Sequence, residues 1–195
     1  MIVGDLDSLR NDVRDFYSSK GVAISHVGSQ DNTDFGKAID IVKSRQAAGS
    51  RSDMSPSHPS FVKHNLLVLG GLGGRVDQGL SLLHALFFYD RDCPKLRLWL
   101  FSEASITFII YIGKNIIEMP RFAGILTPNV GIVPLFGPSV ITTSGLEWDV
   151  QDWPTRIGQQ LSTSNHVLAD ETLVETTENV LFTVELEDSF TQTER

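Results

Sequence analysis

The sequence predicts an α/β half followed by an all-β half, with the change of texture near residue 115. Up to about residue 90, short apolar runs alternate with longer amphipathic ones, the pattern of strands crossed by helices over a parallel sheet. From Leu96 onward, short apolar runs recur between turn signals, as in a mostly antiparallel sheet. At 195 residues and 41% apolar, the chain can hide about 70% of its unfolded surface and build a core without disulfide staples.

Each element follows from local pattern. Met1 to Val3 reads as a short strand. Leu9, Val13, Phe16 and Tyr17 share one helical face, which Gly21 stops. Val22 to Val27 reads as extended. Asn32 is placed to cap a helix whose apolar face is Phe35, Ala38, Ile39 and Val42. Gly49 to Ser60, with two prolines, five serines and no periodicity, reads as an exposed connection. Leu66 to Leu69 is a buried strand ending in glycines, and Val76 to Phe88 forms another helix. The second half offers strands at Leu96 to Phe101, Ser105 to Ile112, Gly131 to Leu135, Val140 to Thr143 and Val180 to Leu186.

Composition excludes several classes of function. Sixteen basic against 24 acidic side chains give a net charge of −8, which disfavours a nucleic acid partner because a polyanion needs clustered cations. Cys93 is the only cysteine, so no internal disulfide or cysteine-based zinc site forms, and a reducing compartment is expected. No stretch approaches the roughly 20 apolar residues of a spanning helix, and Asp5 and Asp7 stand where a secretion signal would be basic. The expected location is cytoplasmic, without a membrane partner.

Three segments where strands give way to helices carry candidate chemistry. In GDLDS, Asp5 and Asp7 follow a strand two residues apart, so continued strand geometry would point both carboxylates to one side, toward a shared hard cation. Short Asp-rich segments are more often solvated turns. In QDNTDFGKA, Asp34 lies in the first helical turn and Lys37 falls on nearly the same face. An exposed intrahelical ion pair explains that spacing in isolation. In LGGLGGRVDQ, four glycines leave N–H groups open to a phosphate, and Arg75 adds a bidentate fork. The segment matches neither the P-loop nor the dinucleotide fingerprint. Strand-to-helix junctions form the ligand edge of open α/β sheets. Together, Asp5, Asp7 and Asp34 suit Mg²⁺ with polyphosphate oxygens, while Lys37 and Arg75 neutralise charge during phosphoryl transfer. In the β half, the hydroxyls of Thr142, Thr143 and Ser144, the flat face of Trp148 and the later Ser162, Ser164 and Asn165 suit a heteroaromatic ligand. The plainer reading makes Trp148 core and the hydroxyls strand residues.

GDLDS, QDNTDFGKA, LGGLGGRVDQ and the paired TTSGLEW and STSN segments, in that order and spacing, resemble the thiamine pyrophosphokinase family essentially from Met1 to the C-terminus. The resemblance implies transfer of a diphosphate from ATP to the hydroxyl of thiamine, yielding AMP and thiamine diphosphate, with Mg²⁺ required. It also implies an α/β nucleotide-binding domain over 1–115, an antiparallel β-sandwich for thiamine over 116–195, and a homodimer with its sites between subunits. By position, Asp5, Asp7 and Asp34 match the metal carboxylates, Lys37 the lysine of the TDF-x-K segment, and Arg75, Asp77 and Gln78 the Gly-Arg-x-Asp-Gln turn. Gln30 matches a polar residue near thiamine, and Trp148, Ser162, Ser164 and Asn165 match the thiamine side. Thr33 and Gly74 belong to the same ligand-binding segments. Family chains start earlier, with a further strand and glycine turn, so a truncated parallel sheet with one uncovered edge is expected. Glu147 departs from a position that is often basic or variable, and Ser50 to Ser60 reads as an insertion.

The mechanism expected from this resemblance is in-line attack of the thiamine hydroxyl on the β-phosphorus. Lys37 and Arg75 would stabilise charge, and Asp77 would orient the hydroxyl or act as a weak base. Two other readings stay open: a non-catalytic thiamine or nucleotide binder, and a metal-dependent nucleotide hydrolase using water as acceptor.

Overall fold

The computed structural model describes residues 1–29, 31–49, 64–119 and 124–188. Gln30 and the connection expected through Ser50 to Ser60 lie outside the described residues. The chain separates into two compact units, Met1–Ser60 and Phe61–Arg195.

In the first unit, strand β1 (Ile2–Gly4) is followed by helix α1 (Asn11–Ser19), strand β2 (Ile24–His26) and helix α2 (Asp34–Gly49). The two strands pair in parallel from Ile2 opposite Ile24 to Gly4 opposite His26, as a helical crossover requires. Helix α1 ends before Gly21, whose φ of 75° is a left-handed conformation open to glycine. Its expected apolar face is not buried: Phe16 and Tyr17 are both exposed. Helix α2 buries Ile39 and partly buries Phe35, Ala38 and Val42, as its periodicity predicts. Its cap differs from the expected one. Thr33 Oγ1, rather than the Asn32 side chain, accepts the Gly36 N–H at 3.1 Å. The reason is reach, because a capping oxygen serves the amide three residues on, and Asn32 instead donates to Asp40 Oδ2 at 3.2 Å.

In the second unit, β3 (His64–Leu69), α3 (Val76–Asp92) and β4 (Leu96–Phe101) form a parallel βαβ unit, with His64 opposite Leu96 and Leu69 opposite Phe101. Eight strands follow: β5 (Ser105–Ile110), β6 (Gly113–Glu118), β7 (Leu126–Val133), β8 (Ser139–Ser144), β9 (Trp153–Thr155), β10 (Ser162–His166), β11 (Glu171–Thr176) and β12 (Val180–Leu186). One sheet has the order β10-β7-β12-β5-β4-β3, in which only β3 and β4 are parallel. The other, β6-β11-β8-β9, is antiparallel throughout. The fold is therefore α/β plus a β-rich part, and the parallel pair continues into the larger antiparallel sheet through β4.

Strand β4 explains that continuity. Leu96, Leu98 and Leu100 alternate into full burial, while Arg97, Trp99 and Phe101 line the opposite, half-buried face. The main core draws on both sheets: Phe108, Ile110, Ile132 and Phe182 from the larger, Ile141 and Val174 from the smaller. Among the described residues no helix is long and apolar enough to cross a membrane.

Candidate functional site

The chemistry of the first unit gathers around one amine. The Lys37 side chain is only 4% exposed, and its Nζ lies 3.0 Å from Asp34 Oδ1 and 3.7 Å from Asp5 Oδ2. A buried ammonium is costly unless paired, and here two carboxylates flank it. The Asp34–Lys37 spacing of three residues places both on one helical face, but the approach of Asp5, 29 residues earlier, depends on β1 meeting α2. The Asp5 N–H also donates to Asp34 Oδ1 at 3.1 Å. The bond from Lys37 holds the Asp34 carboxyl below the usual range against the opposing effect of burial, with the Asp5 N–H assisting. Close approach requires Gly4, since an added Cβ would stand 2.8 Å from the Asp34 carboxyl carbon.

Asp7 is positioned differently from the strand-alternation expectation. Strand β1 stops at Gly4, and Leu6 is left-handed at φ 60°, a conformation rare for a branched side chain. Asp5 Oδ1 accepts the Asp7 N–H at 3.3 Å across that turn, and Asp7 itself is exposed. Among the described residues, no three His, Cys, Asp or Glu side chains converge as a ready-made metal centre. Asp5 and Asp34 nevertheless offer hard oxygen donors side by side. That donor set fits Mg²⁺, which commonly takes one or two carboxylates and completes its shell with water and substrate phosphate.

In the second unit, the glycine segment connects β3 to α3. Gly70 and Gly74 are left-handed at φ 73° and 70°, and a Cβ on Gly71 would meet Leu82 Cδ2 at 2.4 Å. The N–H groups of Gly70 and Gly71 both donate to the Phe101 carbonyl, at 2.8 and 3.4 Å. Three of the four glycines are thus explained by the turn, and fewer N–H groups face outward than the expected cradle has. Arg75 donates to both oxygens of Asp77, Nε to Oδ1 at 3.1 Å and Nη2 to Oδ2 at 2.6 Å, with both side chains mostly exposed. Arg75 thereby holds the Asp77 carboxyl below the usual range, which makes it a weaker base than an unpaired aspartate. Gln78 follows on the exposed first turn of α3.

The turn after β8 meets β10. Trp148 is 55% exposed, and its ring lies 5.2 Å from that of His166. Asn165 is only 4% exposed and holds the Trp148 backbone from both ends. Its Oδ1 accepts the Trp148 N–H at 3.1 Å, and its Nδ2 donates to the Trp148 carbonyl at 2.9 Å. Asn165 is therefore a positioning residue for the indole. Ser164 is left-handed at φ 58° beside a β-bulge in β10, and it is exposed, whereas Ser162 is half-buried. Three residues that the sequence reading left without a role also build this turn. Asp149 accepts from Thr143 Oγ1 at 2.9 Å and from the N–H groups of Gly145 and Leu146 at 3.0 and 3.1 Å. His166 Nδ1 lies 2.5 Å from Glu147 Oε2. The signal for Asp149 was present in SGLEWD, since an aspartate near a turn glycine readily binds backbone amides. The His166–Glu147 contact, 19 residues apart, had no local signal.

Residues 1–98 match the family model described as the catalytic domain of thiamin pyrophosphokinase, and residues 114–181 match its vitamin B1 binding domain. Thiamine pyrophosphokinase of Saccharomyces cerevisiae is 25% identical over 217 residues, covering 95% of this chain and 68% of the relative. Thiamine pyrophosphokinase 1 of Arabidopsis thaliana is 31% identical over 188 residues, covering 95% and 65%. Among solved structures, thiamin pyrophosphokinase from Candida albicans superposes with a TM-score of 0.82 at 25% identity, covering 95% of this chain and 72% of that one. The yeast enzyme superposes with a TM-score of 0.81 at 26% identity, covering 96% and 69%. The chain thus spans about two thirds of the length of the curated relatives it matches. Family models that account for both the carboxylate–lysine cluster and the Trp148 turn, in chain order, make this chain a member of the thiamin pyrophosphokinase family.

Proposed function

We propose that the protein is a thiamine diphosphokinase, transferring the diphosphate of ATP to the hydroxyl of thiamine to give thiamine diphosphate and AMP. The observation that carries this reading is the buried Lys37 ammonium between Asp5 and Asp34, within the segment that matches the catalytic family model. In the reaction, the thiamine hydroxyl oxygen bonds to the β-phosphorus while the bond from that phosphorus to the bridging oxygen of AMP breaks, and the hydroxyl proton passes to solvent. Asp5 and Asp34 would hold Mg²⁺, with Asp7 within the same turn. When bound, that ion supplies charge neutralisation at the polyphosphate. Lys37 and Arg75 would supply fixed positive charge for phosphate oxygens, where preorganised charge does most to lower a barrier. Asp77 would orient the attacking hydroxyl.

On the thiamine side, Trp148 would stack on the heterocycle, with Ser162 and Ser164 as hydrogen-bonding partners and Asn165 fixing the indole backbone. Thr33, Gly74, Gln78 and Gln30 would serve as ligand-binding positions. We further propose that 1–115 forms the nucleotide-binding domain and 116–195 a thiamine-binding β-sandwich, that the active form is a cytoplasmic homodimer, and that its sites lie between subunits. Incubating purified protein with ATP, Mg²⁺ and thiamine tests the function. AMP and thiamine diphosphate should appear together in equal amounts. AMP and pyrophosphate without thiamine would make it a hydrolase, and thiamine binding without AMP would make it a binding protein.

A further inference from the structure

Asn165 fixes the backbone of Trp148 but not its ring. An exposed indole on a pinned backbone still turns about two side-chain bonds, and every orientation away from the binding one must be given up when a ligand stacks on it. Holding the ring in place beforehand takes a side-chain neighbour. That neighbour is His166, whose imidazole centroid lies 5.2 Å from the indole with the two planes tilted by 44°.

The imidazole is itself tethered. Its Nδ1 stands 2.5 Å from Glu147 Oε2, and because a carboxylate only accepts, the ring nitrogen is the donor. Both ends of this bond start from held backbone. The Glu147 N–H donates to the His166 carbonyl at 2.8 Å, and Asn165 Oδ1 accepts the His166 N–H at 2.8 Å as well as the Trp148 N–H. Leu146 and Val167, one residue outside the pair on each segment, form an antiparallel bridge. The two side chains therefore meet with little freedom left to lose. At 36% and 44% exposure the pair adds little to overall stability. Its effect falls instead on orientation: Glu147 precedes Trp148 in the chain, and His166 spans from that carboxylate to the indole.

We propose that Glu147 and His166 are positioning residues for thiamine recognition, the carboxylate tethering the imidazole and the imidazole holding the Trp148 indole in the orientation that stacks on the heterocycle. The identity of the ligand rests on the diphosphokinase reading, whereas the clamp rests on the geometry of this turn.

The test uses the full chain, labelled with ¹⁵N at tryptophan, together with steady-state assays in ATP, Mg²⁺ and thiamine. Glu147→Ala keeps both rings and removes only the tether, so in the absence of ligand the Trp148 indole resonance should move. The same variant and His166→Ala should each raise KM for thiamine by about three- to tenfold, with kcat and the KM for ATP unchanged, as expected for an aromatic side chain that must be ordered on binding. The double variant should be no worse than His166→Ala, because the two residues act as one unit. Glu147→Gln keeps an acceptor oxygen for Nδ1 and should recover most of the lost affinity. An unmoved Trp148 resonance and unchanged KM in Glu147→Ala overturn the proposal. So does a Gln variant as weak as the Ala variant, since the carboxylate would then act by its charge on the ligand and not by holding the ring. Should His166→Ala fail to fold, the two Glu147 variants decide. Absence of thiamine binding and turnover in the unaltered protein would instead overturn the diphosphokinase reading, and the ligand named here with it.

Discussion

Lys37 makes the most consequential contacts of any single residue here, because its burial turns an ordinary helical ion pair into a charged cluster with Asp5. If the ammonium stabilises transferring phosphate, Lys37→Met should lower kcat/KM for ATP by about 10² or more, as removal of a preorganised charge does elsewhere. Activity within twofold of the unaltered protein, in a variant with native circular dichroism, would make the lysine merely structural. Gly4→Ala tests the same cluster from the backbone side. The added methyl must displace the Asp34 carboxylate, so steady-state assays should show activity falling while the melting temperature changes little. Asp34 also gives a pH dependence with a definite sign. Its folded carboxyl lies below the ordinary 3.8, so its contribution is complete above that pH and disappears as pH falls through the lowered value. Because the side chain is 54% exposed, the contribution should be only about 0–1 kcal/mol. Urea midpoints of the unaltered protein and Asp34→Asn should therefore differ near neutrality and converge in acid. On the other candidate segment, Asn165→Ala frees the Trp148 backbone, which should raise KM for thiamine well before it affects kcat.

Among the elements, helix α2 shows how a one-residue shift in capping is decided. Thr33 and Asn32 are both good capping types, and sequence alone does not rank them here. The structure assigns the cap to Thr33, so Thr33→Ala should cost about 1 kcal/mol, a fall of roughly 2–4 °C in melting temperature for a chain of this size. Asn32→Ala should cost less by calorimetry, since it loses a single exposed bond to Asp40. Strands β4 and β12 begin and end where their apolar runs do, because near-continuous apolar stretches bury on more than one side. Strand β10, SerThrSerAsnHis, has no apolar pattern to read. It is a strand because β7 supplies its backbone partners, and its bulge turns Asn165 inward and leaves Ser164 exposed. Helix α1 is the opposite case: the periodic apolar face is legible, yet Phe16 and Tyr17 stay exposed.

For the whole molecule, the core of the second unit links the two sheets through side chains that never adjoin in sequence. Phe182 is fully buried among Phe108 and the facing residues of the smaller sheet. Phe182→Ala should destabilise the protein by about 3–5 kcal/mol through lost transfer energy and the cavity left behind. Chemical denaturation of that variant should show an earlier midpoint with little change in slope. The family models cover the compact unit Met1–Ser60 and most of Phe61–Arg195, so the resemblance extends well beyond the motifs that first suggest it.

Periodicity, turn chemistry and motif order are local properties of the chain, and they suffice for the α/β-to-β progression, strands β4 and β12, the family and the residue types of the candidate site, but not for the burial expected of β3, where Leu67 and Leu69 are exposed. It takes the folded chain to show that Asp5 shares Lys37 with Asp34, that Leu6 turns Asp7 away from strand geometry, that Arg75 already engages Asp77, and that Asn165 holds the Trp148 backbone. Each of those outcomes depends on how far apart two side chains stand once strands pair and helices pack against them. Spacing along the chain carries no information about such distances beyond a turn or two of helix.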